Sequence, residues 1–600
     1  MKGTIGKILD LLTPPEKRRG LVVLAMVLVM ALIETAGVAS VMPFLAVLGN
    51  PEVVQSNEYL AWAFESFGFE STQSFLIVLG TLSFLVVVFG SLFRLFTHYA
   101  LQRYANMRRH SVSLRLLAGY LRQPYEFFLG RNTADLSKSI LSEVDELTRN
   151  VFKPAIQLIA YGTSAFVLVL FLFLMDPWAA FAVTAVVGGS YALIYLAVRG
   201  ILGRIGRDRA LANRERFTAA SEVLSGIKDI RVLGREGVYL SRFKGPSLRY
   251  SKHQATNSVL SVVPKYMIEA VGFGGVLALA VFLMVTRGDL GAALPLLGVY
   301  AFAGYRLLPA AQQMFASLAN LRFGLGAVEI VHDDLVGLPP RSSRPQPTED
   351  FTPDSRQIRG DIVFDRVSYR YPGADAPSLR DISLTVPIGS SLGIVGATGA
   401  GKTTLVDVLL GLLPPSSGTI EVDGECIHEA GIRTWQRIIG YVPQHVFLTD
   451  ASIAENIALG LALDELDGPA VRRAARTAEL HNFVASLPDG YETVVGERGV
   501  RLSGGQRQRI GVARALYRVP RILVLDEATS ALDNRTEARV MENIAGFLRQ
   551  ESTLIVIAHR IGTVTGCAQI LVLENGSVAG IGSYEDLEKG SRAFRKVALT

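Results

Sequence analysis

Six apolar runs fill the first half of the chain and limit what it can become. They lie at residues 20–48, 74–98, 155–175, 178–202, 259–286 and 290–320. Most reach the roughly 20 apolar residues that a helix needs to cross a bilayer. Backbone groups in hydrocarbon find no water to bond, so each run is expected to be helical. The first run is too long for a cleavable leader and is expected to stay as a span. Six hundred residues exceed what one core can hold, so a further domain is expected beyond the last run.

The basic residues fix an expected orientation. Loop 49–73 has no Lys or Arg and carries Glu52, Glu58, Glu65 and Glu70. Loop 99–150 holds Arg103, Arg108, Arg109, Arg115, Arg122, Arg131, Lys138 and Arg149, and loop 199–253 is similarly basic. The N-terminus, both long loops and everything after residue 320 are therefore predicted to be cytoplasmic. This distribution accounts for most of the formal charge of +6, and no nucleic-acid partner is inferred. The two cysteines, Cys426 and Cys567, give neither a disulfide framework nor a metal spacing.

Both long loops read as helices that continue out of the membrane, with tips expected at residues 131–136 and 226–235. Residues 4–12 put Ile5, Ile8, Leu9 and Leu12 on one face, which fits an interfacial helix or an unordered terminus. Tyr59, Leu60, Trp62, Ala63, Phe64 and Phe67 form an amphipathic stretch. It fits a short helix on the outer membrane face or a cap on the bundle. Residues 337–358, rich in Pro, Ser and charge, read as a linker. The division is thus 1–336 for the membrane part, 337–358 for the linker and 359–600 for a second domain.

The second domain carries nucleotide chemistry. Ser391–Val395 reads as a strand, followed by Gly396-Ala397-Thr398-Gly399-Ala400-Gly401-Lys402-Thr403 and then a helix stopped at Pro414-Pro415. That strand–loop–helix context is what a phosphate-binding loop requires. Its backbone N–H groups wrap phosphates, Lys402 reaches the β- and γ-phosphates, and Thr403 ligates Mg²⁺. Further on, Leu502-Ser503-Gly504-Gly505-Gln506 opens a helix, whose N-terminus suits phosphate oxygens. Ile522–Leu525 reads as a strand buried on both faces. It ends in Asp526, placed to hold Mg²⁺, and in Glu527, placed to polarise a water.

Residues 501–533 resemble the signature, Walker B and D-loop of ATP-binding-cassette transporters, and 396–403 resemble their Walker A. The resemblance spans the whole chain. It implies an all-α six-helix transmembrane domain followed by an α/β P-loop ATPase domain, with ATP and Mg²⁺ as cofactors. It also implies a homodimer joined through both domains. ATP is then held by Thr398, Gly399, Ala400, Gly401, Lys402, Thr403 and Thr404 of one chain. Leu502, Ser503, Gly504, Gly505, Gln506 and Asp533 of the other chain close the site. Val367–Pro372 resembles the A-loop, which assigns Tyr371 to adenine and leaves Tyr369 as the weaker candidate. Tyr441–Gln444 resembles the Q-loop, and Gly496–Gly499 the exporter-specific turn. His559, after the apolar strand 553–558, matches the switch histidine. Glu527, His559 and Gln444 are the implied catalytic groups, and Thr403, Gln444 and Asp526 the Mg²⁺ ligands. The two loop tips correspond to the family's coupling helices.

Ionisable residues inside spans mark function by default. Here they are Glu34, Arg94, His98, Lys265, Glu269 and Arg306. Ile33-Glu34-Thr35, Val41–Phe44, Val263–Lys265 and Tyr305–Pro309 resemble lipid-linked oligosaccharide flippases of the PglK type. That implies an ATP-driven flippase moving a polyprenyl-diphosphate glycan to the outer leaflet of the bacterial inner membrane. Glu34, Arg94, Lys265 and Arg306 become the substrate candidates. Lys265, Gln313 and Gly90 stand where that family pattern has basic side chains or arginine. An exporter of lipid A-like lipids or of hydrophobic drugs is the alternative.

Overall fold

The computed structural model describes residues 2–175, 177–287, 290–337, 360–427, 431–548, 552–558 and 560–598. Except for Gly337, the expected linker lies outside the described residues. The chain divides into two compact units. One is Met1–Gln123 with Arg131–Pro345, and the other is Pro124–Gly130 with Gln346–Thr600.

The first unit is helical. Each apolar run lies within one helix: Pro14–Gly49, Thr72–Leu121, Lys153–Met175, Pro177–Ser225, Glu236–Arg287 and Leu290–Phe323. Among the described residues, Pro14–Gly49, Thr72–Leu121 and Thr133–Met175 are long and apolar enough to cross a membrane on their own. Helix Thr72–Leu121 leaves Ile77, Phe84, Leu85, Leu92, Leu95 and Phe96 exposed. So large an apolar stripe would be a liability in water and is a natural surface in hydrocarbon.

Small residues let these helices approach closely, as membrane packing favours. The Ser83 hydroxyl donates to the Ser40 carbonyl at 2.6 Å. A Cβ at Gly90 would lie 3.2 Å from the Ile33 side chain. A larger side chain there would have to displace Ile33, so glycine at this position lets the two helices approach closely. The departure at Gln313 is also accounted for, since its amide donates to Gln157 at 3.1 Å. The N-terminal segment is a helix, Lys2–Asp10, with Ile5 and Leu9 exposed. The next helix starts at Pro14, where Glu16 accepts the Thr13 N–H at 2.8 Å and pairs with Arg108 at 2.8 Å.

The aromatic stretch is a helix, Glu58–Ser66, capped by the Asn57 side chain. One face packs Leu60, Ala63 and Phe64 against Phe75, while Tyr59 and Trp62 stay exposed. It is therefore a cap on the bundle that also presents aromatics outward. The first loop tip differs from expectation. The tip helix is Tyr125–Leu129, flanked by Pro124 and Gly130. Residues 131–136 instead begin the return helix, because the Asn132 side chain caps Thr133–Lys138. The second tip is Ile227–Val232, within the expected stretch, and is ended by Gly234 at φ +61°.

The second unit has two sheets. Strands β1 (Ile362–Tyr369), β2 (Leu379–Val386), β4 (Ser417–Val422) and β5 (Glu425–Cys426) form an antiparallel sheet in the order β2-β1-β4-β5. The larger sheet also takes in β3 (Ser391–Gly396), β6 (Ile439–Val442), β7 (Ile522–Asp526), β8 (Thr553–Ile557), β9 (Gln569–Glu574) and β10 (Ser577–Gly582). Its order is β10-β9-β3-β8-β7-β6, parallel except for β10. Strand β7 is buried along its whole length, as an apolar strand between helical layers must be. The C-terminal ends of β3 and β7 lie on one edge of this sheet, where open α/β sheets bind ligands.

Candidate functional site

At the end of β3 the chain turns through Gly399 (φ +81°) and Gly401 (φ +102°) into helix Lys402–Leu409. Only glycine takes such angles freely. A Cβ at Gly401 would also sit 2.9 Å from the Ser378 carbonyl. Lys402 is buried, and its ammonium donates to the Gly396 carbonyl at 2.7 Å and the Ala397 carbonyl at 3.1 Å. Burial pulls its pKa below the ordinary lysine value, partly offset by Glu527 and Asp526. A cation desolvated in this way beside backbone donors is a strong partner for phosphate. Ala400 is buried under the loop, whereas Thr398 and Thr403 are exposed.

Asp526, at the end of β7, is 5% exposed, and its carboxylate accepts from Tyr441 at 3.4 Å. Glu527 follows with φ +50°. A non-glycine residue in that region carries strain of the kind found at active sites. Its amide is held by the Ile557 carbonyl at 3.0 Å. Its carboxylate accepts from the Gln444 amide at 2.6 Å. The structure therefore brings Gln444 and Glu527 together. His559 lies outside the described residues.

Tyr371 is half-buried, and its hydroxyl lies 3.2 Å from that of Thr404. Ser503 caps helix Gly504–Leu516 reciprocally: it accepts from the Gln506 N–H at 3.2 Å, and its own N–H donates to the Gln506 side chain at 2.8 Å. Leu502 is buried beneath this turn. A Cβ at Gly505 would meet the Ala531 carbonyl at 3.2 Å, so the signature packs on the segment ending at Asp533. Asp533 caps helix Asn534–Phe547, and the Thr536 N–H holds its carboxyl below the ordinary carboxylate range. Sequence reasoning missed Gln508. It donates to Ser530 at 3.0 Å and accepts from the Ala531 N–H at 2.9 Å, tying the signature helix to this segment.

Oxygen donors suited to Mg²⁺ are present, since the Asp526 carboxylate is buried and the Thr403 hydroxyl stands at the helix start. Among the described residues no cluster of His, Cys, Asp or Glu suggests a transition metal.

In the helical unit a cavity of about 150 Å³ is lined by Glu34, Arg94, Tyr161, Ser164, Tyr305 and Arg306, among others. Arg94 lies 2.5 Å from the Glu34 carboxylate and Arg306 lies 3.9 Å from it. The buried Ser164 hydroxyl has no hydrogen-bond partner among the described residues. Three of the four substrate candidates thus converge. Lys265 does not: it is exposed, and its ammonium lies 5.8 Å from the Tyr266 ring.

Family models described as ABC transporter transmembrane region and ABC transporter match residues 20–293 and 379–530. The chain is 31% identical over 471 residues to the ATP-dependent lipid A-core flippase of Alkalilimnicola ehrlichii, covering 78% of each. It is 32% identical over 505 residues to ATP-binding cassette sub-family B member 10, mitochondrial, of Mus musculus, covering 80% of this chain and 67% of the relative. Among solved structures, a bacterial Atm1-family ABC exporter with ATP bound matches with TM-score 0.77 at 23% identity. That match covers 97% of this chain and 98% of the other.

Proposed function

This chain belongs to the ABC transporter family, and from that premise we propose that it flips an anionic glycolipid from the cytoplasmic to the outer leaflet. It is an ATP-driven exporter of half-transporter organisation, an integral membrane protein that couples ATP hydrolysis to transport. The substrate reading is carried by the cavity in which two guanidiniums meet one carboxylate. Two guanidiniums in one cavity, with the Ser164 hydroxyl beside them, suit a phosphate or diphosphate head group. A polyprenyl-diphosphate oligosaccharide has that chemistry. So does a phosphorylated lipid A-type glycolipid, the reading favoured by the flippase relatives.

Two copies associate head to tail at their ATPase domains, in the bacterial inner membrane with those domains cytoplasmic. Lys402 and Thr403 of one copy then face Ser503 and Gly505 of the other across ATP. The two tips support this pairing. Residues 124–130 group with their own ATPase domain, whereas Ile227–Val232 does not. That second tip leaves Ile227, Val232 and Leu233 exposed for a second copy. Gln444 orients Glu527 through their 2.6 Å bond, Glu527 accepts a proton from the attacking water, and His559 holds the γ-phosphate. Thr403, Asp526 and Gln444 would hold Mg²⁺, which would supply charge neutralisation for the phosphates.

The test measures ATPase activity of the purified dimer against added lipids. A polyprenyl-diphosphate glycan and a lipid A are the two anionic probes, and a neutral hydrophobic drug is the third. Stimulation by an anionic glycolipid, absent in Arg306→Ala, is expected, and which probe acts names the source. Stimulation by the drug alone, or equal stimulation in Arg306→Ala, would contradict the reading.

A further inference from the structure

The mechanism above gives no role to Tyr369 or to Glu126 of the short helix Tyr125–Leu129. Tyr369 is the last residue of β1 and only 1% exposed. Its hydroxyl donates to the Glu126 carboxylate at 2.6 Å. The same ring meets Tyr371 edge-on, with centroids 5.0 Å apart and planes at 89°. Tyr371 reaches Thr404, one residue beyond Thr403 in the first turn of the phosphate-loop helix. An unbroken series of contacts therefore runs from Glu126 through two tyrosines to the helix that follows the phosphate loop. A second strand of the same link comes from Tyr125, whose hydroxyl is pushed up by burial, by Asp407 of that helix and by Tyr371.

Chain connectivity gives this series a direction. Pro124–Gly130 groups with the ATPase domain, yet short turns at its two ends join it to helices Thr72–Leu121 and Thr133–Lys138 of the membrane unit. A buried phenol-to-carboxylate bond is short and directional. An edge-to-face aromatic pair fixes the angle between its rings. Whatever seats the Tyr371 ring therefore seats the Tyr369 ring, and with it the donor that Glu126 requires. We propose that the Glu126–Tyr369 hydrogen bond reports occupancy of the Tyr371 adenine platform to the membrane helices, with Glu126 as a positioning residue for coupling.

The test uses the full-length dimer in lipid nanodiscs, on a Glu527→Gln background so that ATP binds and persists. Hydrogen exchange is followed with and without ATP in two places: residues 396–404 and the helical residues 100–121 and 133–160 that flank the segment. In the parent, ATP changes exchange in both. Glu126→Ala should retain the response at 396–404. It should need roughly tenfold more ATP for the response in the flanking helices, the size expected for losing one hydrogen bond to a charged group. In the Glu527-intact protein, Glu126→Ala should leave basal ATP turnover within about twofold, since the residue touches no reacting atom. Tyr369→Phe should reproduce the flanking-helix defect, and the double variant should be no worse than either single one. A merely structural contact would lower thermal stability and leave the ATP response of the flanking helices at the parent's concentration. That outcome, or additive single defects, would overturn the proposal.

Discussion

Two clusters of arginine and glutamate sit in the same helical unit, and their difference separates a structural lock from a site. The first joins Arg209 to Glu143 at 3.0 Å and to Glu146 at 3.6 Å, with all three side chains at most 4% exposed. It is finished with amides: Asn213 donates to Glu143 at 2.8 Å and Asn150 to Glu146 at 2.6 Å. Two π-helical turns, Ser139–Glu143 and Thr148–Phe152, hold the carboxylates among buried Val144, Leu147, Val151 and Phe152. Burial alone would lower the Arg209 pKa, but Glu143 and Glu146 outweigh it and hold the guanidinium charged. The second cluster gives one carboxylate, Glu34, to two guanidiniums, opens onto a cavity and leaves Arg94 43% exposed. The residue types are the same. The first cluster has its carboxylates bonded by neighbouring amides, whereas the second lines a cavity.

Arg209→Ala should do the most damage. Removing one partner of a sealed pair leaves a buried uncompensated charge and costs about 3–5 kcal/mol. Denaturant or thermal unfolding of the purified protein would register it, and a stability equal to wild type would show that the cluster is no lock. Arg306→Ala should behave oppositely, with unfolding unchanged and basal ATP turnover kept. Its transport should fall by about tenfold or more, since a hydrogen bond to a charged group is worth about 1.5–3 kcal/mol. A large stability loss there would erase the distinction between the clusters.

Glu34→Gln should sharpen it further. Without its counter-charge the cavity should hold an anionic lipid several-fold tighter, by roughly 1 kcal/mol, and release it more slowly. Weaker binding would mean that Glu34 itself contacts the substrate head. Lys265→Ala should be smallest, within about twofold in transport, as for an exposed charge outside the cavity. A loss as deep as that of Arg306→Ala would bring Lys265 back into the site.

The ATPase half was legible because its chemistry is written locally. Gly396–Thr403, Leu502–Gln506 and Asp526-Glu527 each occupy one turn, and the flanking apolar strands announce where those turns must sit. The spans were legible for the same reason, as long apolar runs. The cavity triad was only half legible. Glu34, Arg94 and Arg306 stood out singly, but nothing in sequence tells which faces of three distant helices meet. Lys265 looked equivalent by type and is not by position. The first tip was misread by a few residues because Asn132, which looks like a turn residue, caps the returning helix. Tyr369 stood only as the weaker adenine candidate, because nothing in the sequence tells that the Glu126 carboxylate, 243 residues away along the chain, meets its hydroxyl.

The proposed function requires that cations in the membrane cavity meet an anionic glycolipid that ATP hydrolysis then moves. The most direct measurement reconstitutes the protein in liposomes with labelled polyprenyl-diphosphate glycan or labelled lipid A and follows label between leaflets. Glu527→Gln serves as the blank, since loss of a positioned general base typically costs about 10²–10⁴-fold in rate. ATP-dependent movement of at least one of these lipids is expected with wild type, none with Glu527→Gln and little with Arg306→Ala. Vigorous ATP hydrolysis with neither lipid moved, or movement undiminished in Arg306→Ala, would contradict it.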